Sequence, residues 1–418
     1  MNILLSSVQI LDPDSPFYRQ RTNVLIRDHR IVSIGNEHFE SDQIVDCQAF
    51  SLSAGWLDMF CHIPEGSEWK DDLLSVSQAA AAGGFTEIAM LPNTQPVLQN
   101  KQAIEFVKSK SKFLLTQIHP IAAASLETEG KDMTEILDLR QAGAVAFSDG
   151  LNPLTSGRLL VSILQYLQHF DGLLINLAEE KSMTEYATMH EGIHSVSLGL
   201  KGMPSVAEKL AIIKILELLR YAGGRIHLSK ISTSEGVELI RNAKKEGLQI
   251  TCDIAAHQLA FTDADLADFD TNLKVKPPFR SQNDIESLIA GLQDSTIDCV
   301  VSAHEPHDEE GKKLEFDLAE FGIIGLETAF ASLNTYAKLS VEQMVEKLAL
   351  NPRKILGLEI PKIAVGELAN LTLFDPLQTW TFTKKDIRSK SKNTPFVNHV
   401  FTGKVIGVFN QSQFQLFL

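Results

Sequence analysis

From residue 53 to about residue 310 the chain alternates between two rhythms. Short apolar runs recur, each of a length suited to a buried strand: AGWLDMFCH, FTEIAMLPN, TQIHPIAAAS, GAVAFSDG, GLLINLAEE, GRIHLSKIST, GLQITCDIAAH and IDCVVSAHEPH. Between several of them lie stretches with apolar residues three and four apart. SVAEKLAIIKILELLRYAGG and SEGVELIRNAKKEG are amphipathic helices that end on glycine. Eight strand–helix units predict a closed (β/α)8 barrel, whose chemistry gathers at the carboxyl ends of the strands. A doubly wound open sheet is the competing arrangement. It lacks support, because no glycine-rich phosphate loop follows the first run.

The two ends of the chain read differently. NILLSSVQIL, TNVLIRDHRIVSIG and QIVDCQAFSLSAG at the start, and ELANLTLFDP, QTWTFTKKD and GKVIGVFNQSQFQLFL at the finish, are strand-like and punctuated by Gly and Asp-Pro. Termini often lie close together, so these ends are expected to pair into one small β-sandwich module. The division expected is residues 1–52 and 365–418 for that module and 53–364 for the barrel. A length of 418 residues, beyond the usual limit of one core, agrees with two units.

Composition narrows the function classes. A formal charge of −15 argues against nucleic acid or an anionic membrane as the partner. Cys47, Cys61, Cys252 and Cys299 are scattered with no C-x-x-C pair, which fits a reducing compartment. The first residues lack the basic and apolar regions of a signal peptide, and no apolar run is long enough to span a bilayer. A cytoplasmic protein is expected.

The chemistry turns on GWLDMFCHIPEG, residues 55–66. In a zinc-dependent barrel hydrolase, a His-x-His pair at the end of the first strand grips an ion from one side. Here the triplet is Phe60-Cys61-His62, and Phe60 offers no ligand atom. The other strand ends carry Asn93, Asp149, Glu179, Lys230, His257, His304 and His307.

With these residues the sequence resembles the dihydroorotases of the cyclic amidohydrolase superfamily over nearly its whole length. The marks are LPNTQP, GAVAFSDG, MHEGIHSVSLGLKGMPSVAE, ISTSEGVELIR, DTNLKVKPPFRS, FGIIGLETA and SKSKNTPF. The resemblance implies a (β/α)8 barrel with a β-domain built from both termini. It also implies zinc-activated water that interconverts carbamoyl aspartate and dihydroorotate, with a carboxylate moving the proton.

Position by position, that machinery has been replaced. The family's first histidine is Phe60, and the second is kept as His62. The arginine that normally follows is missing, with Pro64 standing there. The bridging acid is kept as Asp149. A histidine has become Leu177 in INLAEE, another has become Lys230 in HLSKIST, and the catalytic aspartate is Ala303 in SAHEPH. Of six metal-site positions only His62 and Asp149 survive, and two ligands do not hold zinc. No cofactor and no catalytic residue are therefore expected. Asn93 and His307 match positions that contact substrate in active relatives, while the asparagine of the family's KVNPP is Lys276.

Replacement ligands to consider are Cys61, Glu179, His227 and His304. Strand alternation would turn Cys61 away from His62, and His227 away from the side of Lys230. The expectation is a refilled site, with a Lys230–Asp149 ion pair packed by Phe60 and Leu177 and with His62 bonded alongside. Three functions follow. The leading one is a non-catalytic, dihydroorotase-like partner of aspartate carbamoyltransferase, or a self-associating chain, as the resemblance to such chains implies. The others are an active amidohydrolase with a diverged site, and a binding module for a small anionic metabolite in the old pocket.

Overall fold

A computed structural model describes residues 2–37, 39–64 and 69–417. Glu65 and Gly66 of the GWLDMFCHIPEG segment lie outside the described residues. The eight apolar runs form eight parallel strands: Trp56–Cys61, Phe85–Met90, Gln117–Ala123, Ala146–Ser148, Leu173–Leu177, Arg225–Ser229, Ile250–Ala255 and Cys299–Val301. Each pairs with its neighbour in chain order. The first and last close on one another through a parallel bridge between Cys61 and His304, where His62 N–H donates to the His304 carbonyl at 2.9 Å. The sheet is a closed barrel rather than the open, doubly wound alternative.

Two apolar clusters account for the strand pattern. Alternate residues pointing inward, among them Leu57, Met59, Phe60, Ile121, Ile175, Leu177, Val301 and Ala303, make the barrel interior. Their neighbours, among them Cys61, Ile88, Leu174 and Ile254, pack against the helices. Strands buried on both faces have to be apolar throughout, which is why the runs are nearly continuous. Cys61 accordingly faces the helical layer.

Eight further strands form a second sheet, and Met189–His190 pairs with Gly202–Met203 in a small two-stranded one. Ser51–Ala54 pairs in parallel with Asn2–Ile10 and antiparallel with Leu371–Thr381, so the chain's two ends share one ladder. Its core is separate from the barrel's, with Leu5, Val8, Ile10, Leu52, Leu371 and Leu373 fully buried. Among the described residues no helix is long and apolar enough to cross a membrane.

Candidate functional site

At the carboxyl end of strand Arg225–Ser229, the chain turns through Lys230 with φ 57°, a left-handed conformation that is strained for a residue with a Cβ. Three contacts hold it there. The Asp253 carboxylate accepts the Lys230 N–H at 2.7 Å and the Ser229 hydroxyl at 2.8 and 2.9 Å. One residue beyond Ile231, Glu208 accepts the N–H groups of Ser232 and Thr233 at 3.0–3.2 Å, anchoring the loop to helix Ser205–Ala222.

So fixed, the Lys230 side chain reaches into the barrel mouth. Its Nζ lies 2.7 Å from Glu305 Oε1 and 4.2 Å from the centre of the Phe60 ring. Both members of the pair are buried, with side-chain exposures of 3% and 8%. The ammonium is thus held by a carboxylate and by the negative face of an aromatic ring. Glu305 is fixed in turn: its N–H donates to the Ile323 carbonyl, and its carbonyl accepts Asn393 Nδ2 at 3.0 Å. Gly322 permits the close approach, since a Cβ there would stand 2.6 Å from the Glu305 Cβ.

The refilled mouth therefore uses a different acid from the expected one. Asp149 is buried, but Ser125 satisfies it, donating its N–H to Oδ1 at 2.8 Å and its hydroxyl to Oδ2 at 2.5 Å. Burial pushes its carboxyl pKa up, against those hydrogen bonds. The carboxylate needed no cation, and Lys230 pairs with Glu305. His62 is not bonded to the pair either. Its Nε2–H donates to the Asn93 carbonyl at 2.9 Å, leaving Nδ1 buried without a partner among the described residues.

Phe60, Leu177 and Ala303 belong to the same interior cluster, which extends the barrel core up to its mouth. A second lysine is paired nearby: Lys276 lies 2.8 Å from Glu179. The cavity between Leu177, Glu179, Lys230 and Lys276 measures about 30 Å³. That holds about one water, against roughly 300 Å³ or more for a usual ligand site.

The other candidates are engaged in structure. Asn93 donates to the Asp149 carbonyl at 3.1 Å and accepts Leu151 N–H at 2.9 Å, bracing two strand-end loops. His304 uses both nitrogens, with Asp71 at 3.1 Å and with Gly325 N–H at 3.3 Å. His307 donates to the Phe321 carbonyl at 2.7 Å. His227 does not turn away as alternation suggested. The Asp253 carboxylate that holds the Lys230 N–H also meets His227 Nε2 at 2.9 Å, because the left-handed turn at Lys230 resets the alternation. His227, Asp253 and Cys299 bring ligand-type atoms within 4.8 Å of one another. They form a satisfied network, however: Thr251 takes the other His227 nitrogen, and burial drives the Cys299 thiol well above its ordinary range.

Zinc does not fit this mouth. His62 keeps only Nδ1 as a ligand atom, its Nε2–H being given to a carbonyl, and both Asp149 oxygens already accept from Ser125. A lysine ammonium stands where a dication would need lone pairs. The residue missed from sequence is Glu305, whose only signal was an acid lying between the strand-end histidines of SAHEPH.

Burial pushes two mouth imidazoles down, His62 to about 4 and His257 to about 3, the latter helped by the Lys230 charge. Both stay neutral in the fold, whereas in the unfolded chain they take up protons below about pH 6.5. Their contribution to stability is therefore complete above that pH and falls as pH drops toward 4 and 3. The His257→Gln variant should lose stability less steeply than wild type between pH 6.5 and 4 in urea titrations. Ring ¹⁵N shifts should show neutral His62 and His257 at pH 5, and a charged imidazole there contradicts the assignment.

A closed barrel with its site at the strand ends and a second sheet shared by both termini defines the class. The same fold is found in L-hydantoinase (dihydropyrimidinase) from Arthrobacter aurescens, with a TM-score of 0.86, 23% identity and coverage of 100% of this chain and 97% of that one. A D-hydantoinase crystal structure matches with a TM-score of 0.85 at 19% identity, over 100% and 95% of the two chains. Residues 51–236 match the family model described as Dihydro-orotase-like. Dihydroorotase from Ruminiclostridium cellulolyticum is 38% identical over 405 residues, 95% of this chain and 94% of that protein. Dihydroorotase from Syntrophus aciditrophicus is 36% identical over 414 residues, 97% of each. The chain belongs to the dihydroorotase family.

Proposed function

We propose that this protein is a dihydroorotase-family chain of pyrimidine biosynthesis that has given up metal-dependent catalysis and acts as a structural or regulatory partner of aspartate carbamoyltransferase. The observation that carries the loss of catalysis is the buried Lys230–Glu305 pair, whose ammonium is set against the Phe60 ring in the mouth. Hydrolysis of a cyclic amide needs a polarised carbonyl, an activated water and a proton acceptor beside them. Here the position of the acid is Ala303, and the surviving carboxylate is tied to Ser125.

The role in assembly rests on the contrast between positions. The chain is similar to proteins named dihydroorotase over 95–97% of its length, while Lys230, Glu305 and Phe60 form a complementary set at the mouth. That is the pattern left when folding and surface are maintained and turnover is not.

One experiment covers both parts. The purified chain, alone and mixed with aspartate carbamoyltransferase, is separated by size exclusion, and each peak is assayed for zinc and for dihydroorotate formation. A co-migrating complex without stoichiometric zinc and without turnover is expected. Tightly bound zinc with turnover abolished by chelation would establish instead an active amidohydrolase with a diverged site. Separate peaks at micromolar concentration would remove the assembly role.

A further inference from the structure

Beside the filled mouth, and separate from it, lies an open cavity of about 430 Å³. Three stretches of chain meet around it: residues 270–272, the loop 307–313 that follows the last barrel strand, and residues 384–397 from the C-terminal part. Its wall is rigid. Asn393, itself buried, accepts the His307 N–H at 3.1 Å and donates to the carbonyls of Glu305 and Gly322 at 3.0 and 3.1 Å.

Four lysines line the cavity against three carboxylates, so its lining leans positive in a chain whose net charge is −15. Lys313 pairs with Glu309. Of the other two lining acids, Asp308 caps Gly311 N–H at 2.8 Å and lies 4.0 Å from Lys70, and Asp270 accepts Asn272 N–H at 2.9 Å. Lys312 is buried, and its ammonium donates to the carbonyls of Glu320 and Gly322, at 2.7 and 3.1 Å. Lys392 likewise meets the carbonyls of Ile387 and Ser389. Among the described residues, no carboxylate lies within salt-bridge distance of Lys312, Lys384 or Lys392. Burial, and then the charge of Lys274, push the Lys312 ammonium down to about 8, so an anion beside it would be stabilising.

We infer that this cavity binds a small phosphorylated metabolite, its phosphate held by Lys312, Lys384 and Lys392. The lining chemistry selects the class. Lysine supplies compact point charges suited to a phosphate. Thr271, Asn272 and Thr394 offer polar partners to a sugar-like remainder. The volume lies within the usual range for a small-molecule site. The inference does not depend on whether the barrel turns over substrate.

Calorimetric titration of the full chain with inorganic pyrophosphate, and in parallel with succinate, tests it. Saturable one-to-one binding of pyrophosphate is expected, weakening as salt is raised and exceeding any binding of succinate. Lys384 and Lys392 are both exposed, so the K384A/K392A variant should keep its melting temperature while its affinity falls at least tenfold. K313A, which removes a lysine already paired, should fall much less. Absence of saturable heat at millimolar pyrophosphate overturns the site, as does equal affinity in K384A/K392A. Succinate binding as tight as pyrophosphate overturns the phosphate class.

Discussion

Replacing Lys230 by alanine should cost about 3–5 kcal/mol of stability, because Glu305 is then left as a buried carboxylate with no cation. The loss also includes the contact between the ammonium and the Phe60 ring. Replacing both partners, as Lys230→Met with Glu305→Leu, should be far milder than either single change, since apolar groups of similar volume remove the desolvation cost together with the attraction. Urea unfolding of the two single variants and the double variant closes a cycle, and a coupling energy of about 2 kcal/mol or more is expected from a buried pair. A Lys230→Ala variant within about 0.5 kcal/mol of wild type would show that the pair is not formed. Lys230→His alone should bind no zinc, because Phe60, Leu177 and Ala303 still offer no ligand atoms. Stoichiometric zinc in that variant would contradict the account of the mouth.

Glu87→Ala should be as damaging, at the opposite end of the barrel. The Glu87 carboxylate accepts Arg353 Nη2 at 2.8 Å and Asn370 Nδ2 at 2.7 Å on one oxygen, and meets His119 Nε2 at 2.7 Å on the other. These contacts join a barrel strand, a late helix and the segment leading into the second sheet. The Arg353 guanidinium has no exposed surface, so removing the carboxylate strands a buried cation at about 3–5 kcal/mol. Burial alone would raise the Glu87 carboxyl, but the hydrogen bond from His119 and the charge of Arg353 outweigh it and hold it at about 2. Its stabilisation is thus complete above the ordinary carboxyl range and disappears as pH falls from about 4.5 toward 2. Glu87→Gln should be intermediate at neutral pH and should lack that acid-side loss. A Glu87→Ala protein that unfolds at the wild-type urea concentration would refute the linkage.

The barrel was legible because its strands are buried on both faces. Eight apolar runs stand out against amphipathic helices, and each run is a strand in the structure. That Phe60, Leu177 and Ala303 offer no ligand atom was legible too, since such side chains bind no metal whatever their surroundings. Asn93 carried no such certainty: only its contacts show a brace between loops. The partner of Lys230 was beyond the sequence for a physical reason. Asp149 and Glu305 are both acids at strand ends, and choosing between them requires knowing what else satisfies each one. Ser125, from a different loop, quenches Asp149 with a backbone amide and a hydroxyl, while Gly322 and Asn393 bring Glu305 to the mouth. Residue type determines which groups need a partner when buried. Tertiary structure decides which partner arrives, because hydrogen bonds and ion pairs act over a few ångströms between segments far apart in the chain.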